Sequence, residues 1–190
     1  MGNERHNKIY FSEVQPFTES PVKWIYPIIF LASVAPLAYG KYQQLILAKP
    51  LGDNPASNEG LLWIFAFVFL FLVLLGIFFW KSKLEVTIDG EGIQYRFPVF
   101  IRKWRNIKKG SIARYEVRKY SPLLEYGGWG YRSMQSPRSR RNGIAYNVSG
   151  KIGLQLYFTN GRKMLLGTRR PAAMERAMKK LMDENERPYD

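Results

Sequence analysis

The chain has 190 residues, 46% of them hydrophobic, with no cysteine and one histidine. That length allows one soluble domain plus a membrane anchor but not two large globular domains; the composition excludes disulfides, thiol nucleophiles and thiolate metal sites, and with His6 near the terminus as the one histidine a histidine metal site or a Ser-His triad would need another chain. The formal net charge of +14 is uneven: residues 1–80 hold five Lys/Arg against five Asp/Glu, so the whole excess lies in residues 81–190.

Residues 1–23 read as an N-terminal segment ahead of a transmembrane hairpin spanning 24–80. The first span, about residues 24–40, runs from Trp24 to Gly40 with Pro27 and Pro36 inside it. It is slightly short at about 1.5 Å per residue, so it is expected to continue past Lys41, whose amine can snorkel to the interface, towards Ala48. Proline is tolerated inside membrane helices, so a kink at Pro36 is expected rather than a break. A cleaved signal peptide is the rival reading, but residues of mixed charge before the apolar run make a poor leader.

The loop from Lys41 to Gly60 is rich in Pro, Gly, Asp and Asn and suggests no chemistry. The second span, residues 61–80, is Leu61 to Trp80 without a charged side chain. It matches the roughly 20 residues needed to cross about 30 Å of hydrocarbon, with Trp63 and Trp80 at its ends and Lys81 and Lys83 following. A buried core helix is the alternative, and the remaining sequence is too small to surround one apolar on every side. Arg5, Lys8 and Lys23 before the hairpin and the basic residues after it place both termini in the cytoplasm, giving a multi-pass protein integral to the bilayer.

Residues 81–190 read as a cytoplasmic domain. Leu84, Val86 and Ile88, then Ile93, Tyr95 and Phe97, alternate around an Asp89-Gly90-Glu91-Gly92 turn and predict a hairpin. A strand is expected over Ile112 to Tyr120. Ile152 to Phe158 and Arg162 to Gly167 flank Asn160-Gly161, and a two-residue turn would set Leu156 opposite Leu165 and Tyr157 opposite Met164. From Pro171, Met174, Ala177, Met178, Leu181 and Met182 fall on one stripe opposite Glu175, Arg176, Lys179 and Lys180 and predict an amphipathic helix capping the sheet. Methionines at this spacing fit core packing better than a partner groove.

Strands closed by one helix behind two spans, with Lys103-Trp104-Arg105-Asn106-Ile107, Glu125-Tyr126-Gly127-Gly128-Trp129-Gly130-Tyr131-Arg132, Ala145-Tyr146-Asn147-Val148-Ser149-Gly150, Gly153-Leu154-Gln155-Leu156 and Leu166-Gly167-Thr168, resemble a group of bacterial two-span membrane proteins carrying a pleckstrin-homology-like domain. The resemblance covers roughly residues 61–184 and aligns Lys103–Ile107 with the third strand. It implies an α+β chain, with the transmembrane hairpin followed by a seven-stranded antiparallel bent sheet or partial barrel closed by the C-terminal amphipathic helix. It also implies a bacterial cytoplasmic membrane, and no established activity. The phosphoinositide site of eukaryotic members does not carry over, because the first hairpin loop here is acidic at Asp89 and Glu91.

The long connection from Ser121 to Asn142 holds the candidate site, since unstructured connections of that length tend to be functional or disordered. Tyr126, Trp129, Tyr131 and Arg132 form a candidate partner-binding group with Trp129 as aromatic anchor; alternatively Trp129 plugs the open end of the barrel. Lys81, Lys83, Arg138, Arg140 and Arg141 are candidate anionic-lipid contacts, at about 1 kcal/mol per basic residue near an anionic leaflet. The arginine cluster reads equally as a solvated loop, and nucleic acid is disfavoured because no recognition helix or single-strand stacking platform accompanies the charge.

No catalytic constellation, metal-ligand spacing or phosphate loop is present in the pattern, and no cofactor is expected. The sequence therefore points to a non-catalytic, membrane-tethered interaction module facing a protein partner, a second copy or anionic headgroups. The alternative is a structural or accessory subunit of a larger membrane complex that makes its contacts through the spans.

Overall fold

The alternation that begins at Leu84 becomes an antiparallel sheet whose first strand comes from the far side of the apolar segments. The computed structural model describes residues 8–49, 55–132 and 143–183. They divide into two units: Pro21–Lys81, and a second made of Met1–Ser20 with Ser82–Asp190.

In the smaller unit, α1 (Val22–Leu45) and α2 (Asn58–Lys81) form an antiparallel pair. The first helix runs through both Pro27 and Pro36 and ends near the expected point; the second extends the expected span by three residues at its start. Both are long and apolar enough to cross a membrane, and almost none of either apolar window is covered by the rest of the chain. A core helix of a soluble domain would be covered. The helices are joined by side chains of specific shape. Tyr26 donates its hydroxyl to the Leu72 carbonyl and rests against Gly76, where an added Cβ would lie 2.6 Å from the phenol oxygen. At the other end Gln44 Nε2 donates to Ala56 O and Asn58 Oδ1, at 2.7 and 2.8 Å.

The larger unit contains two sheets. In the first, β1 (Phe11–Pro16), β2 (Lys83–Ile88), β3 (Gly92–Phe97) and β4 (Ile101–Lys108) lie in that order, all antiparallel. The N-terminal residues, which carry only a short apolar alternation, thus supply an edge strand. Phe11 pairs with Ile88 and Pro16 with Lys83, and Phe17 N–H donates to Ser82 O at 2.8 Å. The pair α1–α2 is therefore spliced into the turn between two neighbouring strands.

Inside β1, Phe11, Glu13 and Gln15 face the interior. Glu13, only 5% exposed, accepts from Thr168 Oγ1 at 2.6 Å and from Arg169 N–H at 3.0 Å, while Gln15 donates to Gly167 O at 2.7 Å. These bonds tie the N-terminal strand to the second sheet. Because β1 is added, the Lys103–Ile107 segment lies in the fourth strand of the unit, and the third of those behind the helices.

The second sheet has the order β5 (Ile112–Lys119), β8 (Ile152–Phe158), β9 (Lys163–Gly167), β7 (Ile144–Asn147), β6 (Gly130–Arg132). Nine strands in two sheets replace the expected seven, and among the described residues they do not close into a barrel. One pair, β7 with β9, is parallel, contrary to the all-antiparallel expectation. The cause is the connection: β8 follows β7, crosses to the far side of β9 and pairs with it antiparallel, leaving β7 and β9 in the same direction.

The β8–β9 register is corrected by one residue, with Leu156 opposite Met164 and Tyr157 opposite Lys163. Phe158 N–H donates to Arg162 O at 2.9 Å, which makes the loop Thr159–Asn160–Gly161, three residues long, with Gly161 in the left-handed region at φ 78°. That is the three-residue hairpin with glycine at its last loop position.

The final helix, α4 (Pro171–Asp183), buries Met174, Ala177, Met178 and Leu181 of its predicted stripe, while Met182 at the rim is half-buried. It packs on β5 and β8 of one sheet and on β1 and β2 of the other.

If β1 is integral, the larger unit needs it but not the helices. A chain in which residues 22–80 are replaced by a short Gly/Ser linker is expected to unfold cooperatively in a thermal melt followed by near-UV circular dichroism. Removing residues 1–20 from that chain abolishes the transition or lowers its midpoint sharply, since burial of Phe11 and Phe17 alone contributes about 1.5–3 kcal/mol each. An unchanged midpoint without residues 1–20 contradicts this.

Candidate functional site

The connection after β5 is not structureless. Ser121 caps a short helix, α3 (Pro122–Tyr126), accepting from Leu124 N–H, and β6 follows within four residues. Polar side chains then lock this segment down. Glu125 pairs with Arg118 at 2.7 Å and accepts from Ser121 N–H at 2.8 Å. Arg118 also donates to Gln155 Oε1, which receives the Tyr126 hydroxyl as well, at 3.0 and 3.1 Å. Asn147 accepts from Gly130 N–H at 2.9 Å and donates to the Tyr120 hydroxyl at 3.0 Å. Asn147 and Gln155 are 0% and 2% exposed, and buried polar groups with this many partners fix one arrangement of the chain around them. Burial pushes the phenols of Tyr120 and Tyr126 up to about 12, so both stay protonated donors and acceptors at neutral pH. Most of the motif quoted above is thus occupied in holding α3 and β6 onto the second sheet.

The four residues of the predicted partner-binding group separate accordingly. Tyr126 is buried against Tyr120, Ala145 and Leu165 and offers no free surface. Trp129 is half-buried, and among the described residues its enclosed indole N–H has no hydrogen-bond partner. Arg132 is half-buried with its guanidinium against Gly128, whose φ of 124° and lack of a side chain admit it; its Nε has no partner among the described residues. Tyr131 alone presents an exposed ring. Of the basic candidates, Lys81 is exposed at the end of α2, Lys83 pairs with Glu85 at 2.7 Å, and Arg138, Arg140 and Arg141 lie outside the described residues.

Tyr131 belongs to an aromatic ladder between the sheets. It stacks on Tyr146 at 5.2 Å, Tyr146 lies 5.0 Å from Tyr95, and Phe100 lies 5.8 Å from Tyr131. Burial raises the phenol pKa of Tyr95 and Tyr146. The ladder adjoins β4, whose Lys103–Ile107 segment carries part of the family resemblance. Every residue from Arg102 to Asn106 is exposed, although β4 is an eight-residue strand. It carries Arg102, Lys103, Arg105 and Lys108 and no acidic residue.

Trp104 is held in place on this strand. The Arg96 guanidinium lies 4.6 Å from its ring, and Glu85, buried one strand further in, clamps Arg96 and pairs with Lys83. A cavity of about 390 Å³ is lined by Phe100, Ile101, Arg102, Lys103, Trp104 and Arg105. The signal for this site is a strand-length basic run without apolar alternation, which marks a largely exposed strand; Ile107 is its one buried residue.

By contrast the first hairpin loop is closed to phosphates. Asp89 Oδ1 accepts from Glu91 and Gly92 N–H, and Oδ2 accepts from Gln94, so its donors already serve a carboxylate. Among the described residues no cluster of His, Cys, Asp and Glu could hold a metal ion.

Burial raises the Glu85 carboxyl pKa, but hydrogen bonds and charges from Arg96 and Lys83 outweigh it, leaving the group below its ordinary value. Its contribution to stability is present above the unfolded carboxyl pKa of about 4.3 and is lost as pH falls through the lower folded value. Glu85→Gln is therefore expected to lower the neutral-pH thermal midpoint while reducing the further loss between neutral pH and pH 3. An equal acid-induced loss in both proteins contradicts the assignment.

Compared with protein-family models, curated proteins and solved structures, the chain matches none of them.

Proposed function

We propose that this chain is a membrane-tethered, non-catalytic interaction module. On this reading α1 and α2 cross a bacterial cytoplasmic membrane with both termini inside. The β-rich unit is a divergent pleckstrin-homology-like domain that presents a basic, aromatic surface to a protein partner or to anionic headgroups. The observation that carries the reading is the double attachment: β1 leads into α1 after a short turn, and Ser82 alone separates α2 from β2.

A domain attached in this way stays at the bilayer surface, where four basic residues on one exposed strand gain from an anionic leaflet or an acidic partner. Bilayer crossing is supported by length and by side chains. Each helix has 24 residues, about 36 Å, against about 30 Å of hydrocarbon. Trp24 and Trp80 are exposed at one end of the helix pair, and Trp63, Tyr39 and Tyr42 at the other, as expected of two aromatic belts. Lys23 and Lys81 flank the first belt. The pleckstrin-homology-like reading is supported by two successive sheets followed by one amphipathic helix laid on both.

Photocrosslinking amino acids at Tyr131 and at Phe67, in native membranes, test the reading. Discrete adducts from Tyr131, to protein or to anionic lipid, are expected, with few from Phe67. Strong adducts from Phe67 alone would instead establish a subunit held through its helices.

A further inference from the structure

The strand β4 is an edge. Among the described residues nothing pairs with its outer side, and its main-chain polarity can be read from the ladder on its inner side. Lys109 N–H donates to Glu91 O at 3.1 Å, in register with Gly92 opposite Lys108, Ile93 opposite Ile107, Gln94 opposite Asn106 and Tyr95 opposite Arg105. Hydrogen-bonded and non-hydrogen-bonded pairs alternate along an antiparallel ladder. Ile107 and Arg105 therefore turn their N–H and C=O groups to β3, and Asn106 and Lys108 turn theirs outward.

We propose that this open edge receives an extended acidic segment of a partner protein as an added antiparallel or parallel strand. The proposal rests on the interaction-module reading and names the surface and partner class within it. Main-chain bonds to Asn106 and Lys108 supply the pairing, and Arg102, Lys103, Arg105 and Lys108 supply the charge complement. Alternate side chains of the added strand meet two prepared aromatic shelves: Trp104 held by Arg96 on one face, and Phe100 with Tyr131 on the other.

The charges disfavour several occupants. Basic residues on an edge strand discourage pairing with a like-charged edge, so a second β4 is repelled. The chain's own Ser133–Asn142 segment carries three arginines and no acid, and is repelled for the same reason. An anionic headgroup would satisfy the charge but has no use for outward N–H groups spaced along a strand.

The test uses the full chain in nanodiscs of neutral lipid. The probe is a fluorescein-labelled ten-residue peptide of alternating Glu and Val, followed by anisotropy. Binding is expected, with about tenfold weaker binding for the same peptide N-methylated at alternate positions, which keeps charge and side chains but removes donors. Asn106→Pro should weaken binding of the parent peptide by a similar factor, because proline is tolerated where an edge N–H faces solvent and no bond to β3 is lost.

If Asn106→Pro fails to fold, the N-methylated peptide alone decides. Equal binding of both peptides, or displacement of the parent by phosphatidylserine vesicles as effectively as by unlabelled peptide, overturns strand addition and leaves a charge-only surface within the module reading. No binding to the native chain overturns it outright, while the module itself stands or falls on the crosslinking at Tyr131.

Discussion

The antiparallel pairing of β1 with β2 is the constraint on which the molecule depends. Neighbouring strands lie about 4.8 Å apart, and packed helices about 8–10 Å. An apolar helix pair can therefore be inserted into a strand turn with almost no linker, which is what Phe17, Ser82 and Lys83 accomplish. The pairing also brings residues far apart in the chain into one core. Glu13 reaches Thr168 and Arg169 across 155 and 156 positions of sequence, and Gln15 reaches Gly167 across 152. Long-range closure of this kind is entropically costly until the hairpin folds back, after which β1 and β2 are already neighbours.

From that constraint follows a division of labour in the larger unit. The helix α4 packs on β1 and β2 of one sheet and β5 and β8 of the other, with Met174 and Met178 fully buried and Lys180 4.5 Å from the Tyr10 ring. The edge at β4 is left open and carries the charge. Between these, the Arg118–Glu125–Gln155–Tyr126 and Asn147–Tyr120 networks hold the segment after β5 in place, so that Tyr131 stands as a fixed shelf beside β4. The buried polar groups around β6 thus serve architecture, and the exposed strand β4 holds the available surface.

Regular features were legible in the sequence because a single periodicity produced each of them. The apolar run Leu61–Trp80, the Leu84–Ile88 and Ile93–Phe97 alternation and the Met174–Leu181 stripe each reappear as the expected element. Harder to read was β1. Its inward residues Glu13 and Gln15 are polar, so the usual apolar signal of a buried strand is missing, and only their distant partners make their burial tolerable. The β8–β9 register missed by one because Asn-Gly serves equally in two- and three-residue loops, and the choice is made by the Phe158–Arg162 bond. Tyr126 and Trp129 looked like a contact surface because aromatic and glycine-rich chemistry is common to binding loops and to tightly packed turns. Burial separates the two, and burial at Tyr126 depends on Gln155, 29 residues away.

On the proposed reading the apolar helix pair interrupts a single domain and crosses the bilayer, so that the β1 strand and the β8–β9 turn would share one side of the membrane and the α1–α2 loop would lie on the other. The chain has no cysteine, so single cysteines at Ser12, Asn160 and Ala56 can be labelled in intact cells with a membrane-impermeant maleimide, before and after permeabilisation. The account predicts that Ala56→Cys reacts without permeabilisation and that Ser12→Cys and Asn160→Cys react only after it. Labelling of Ser12→Cys from the same side as Ala56→Cys would contradict it.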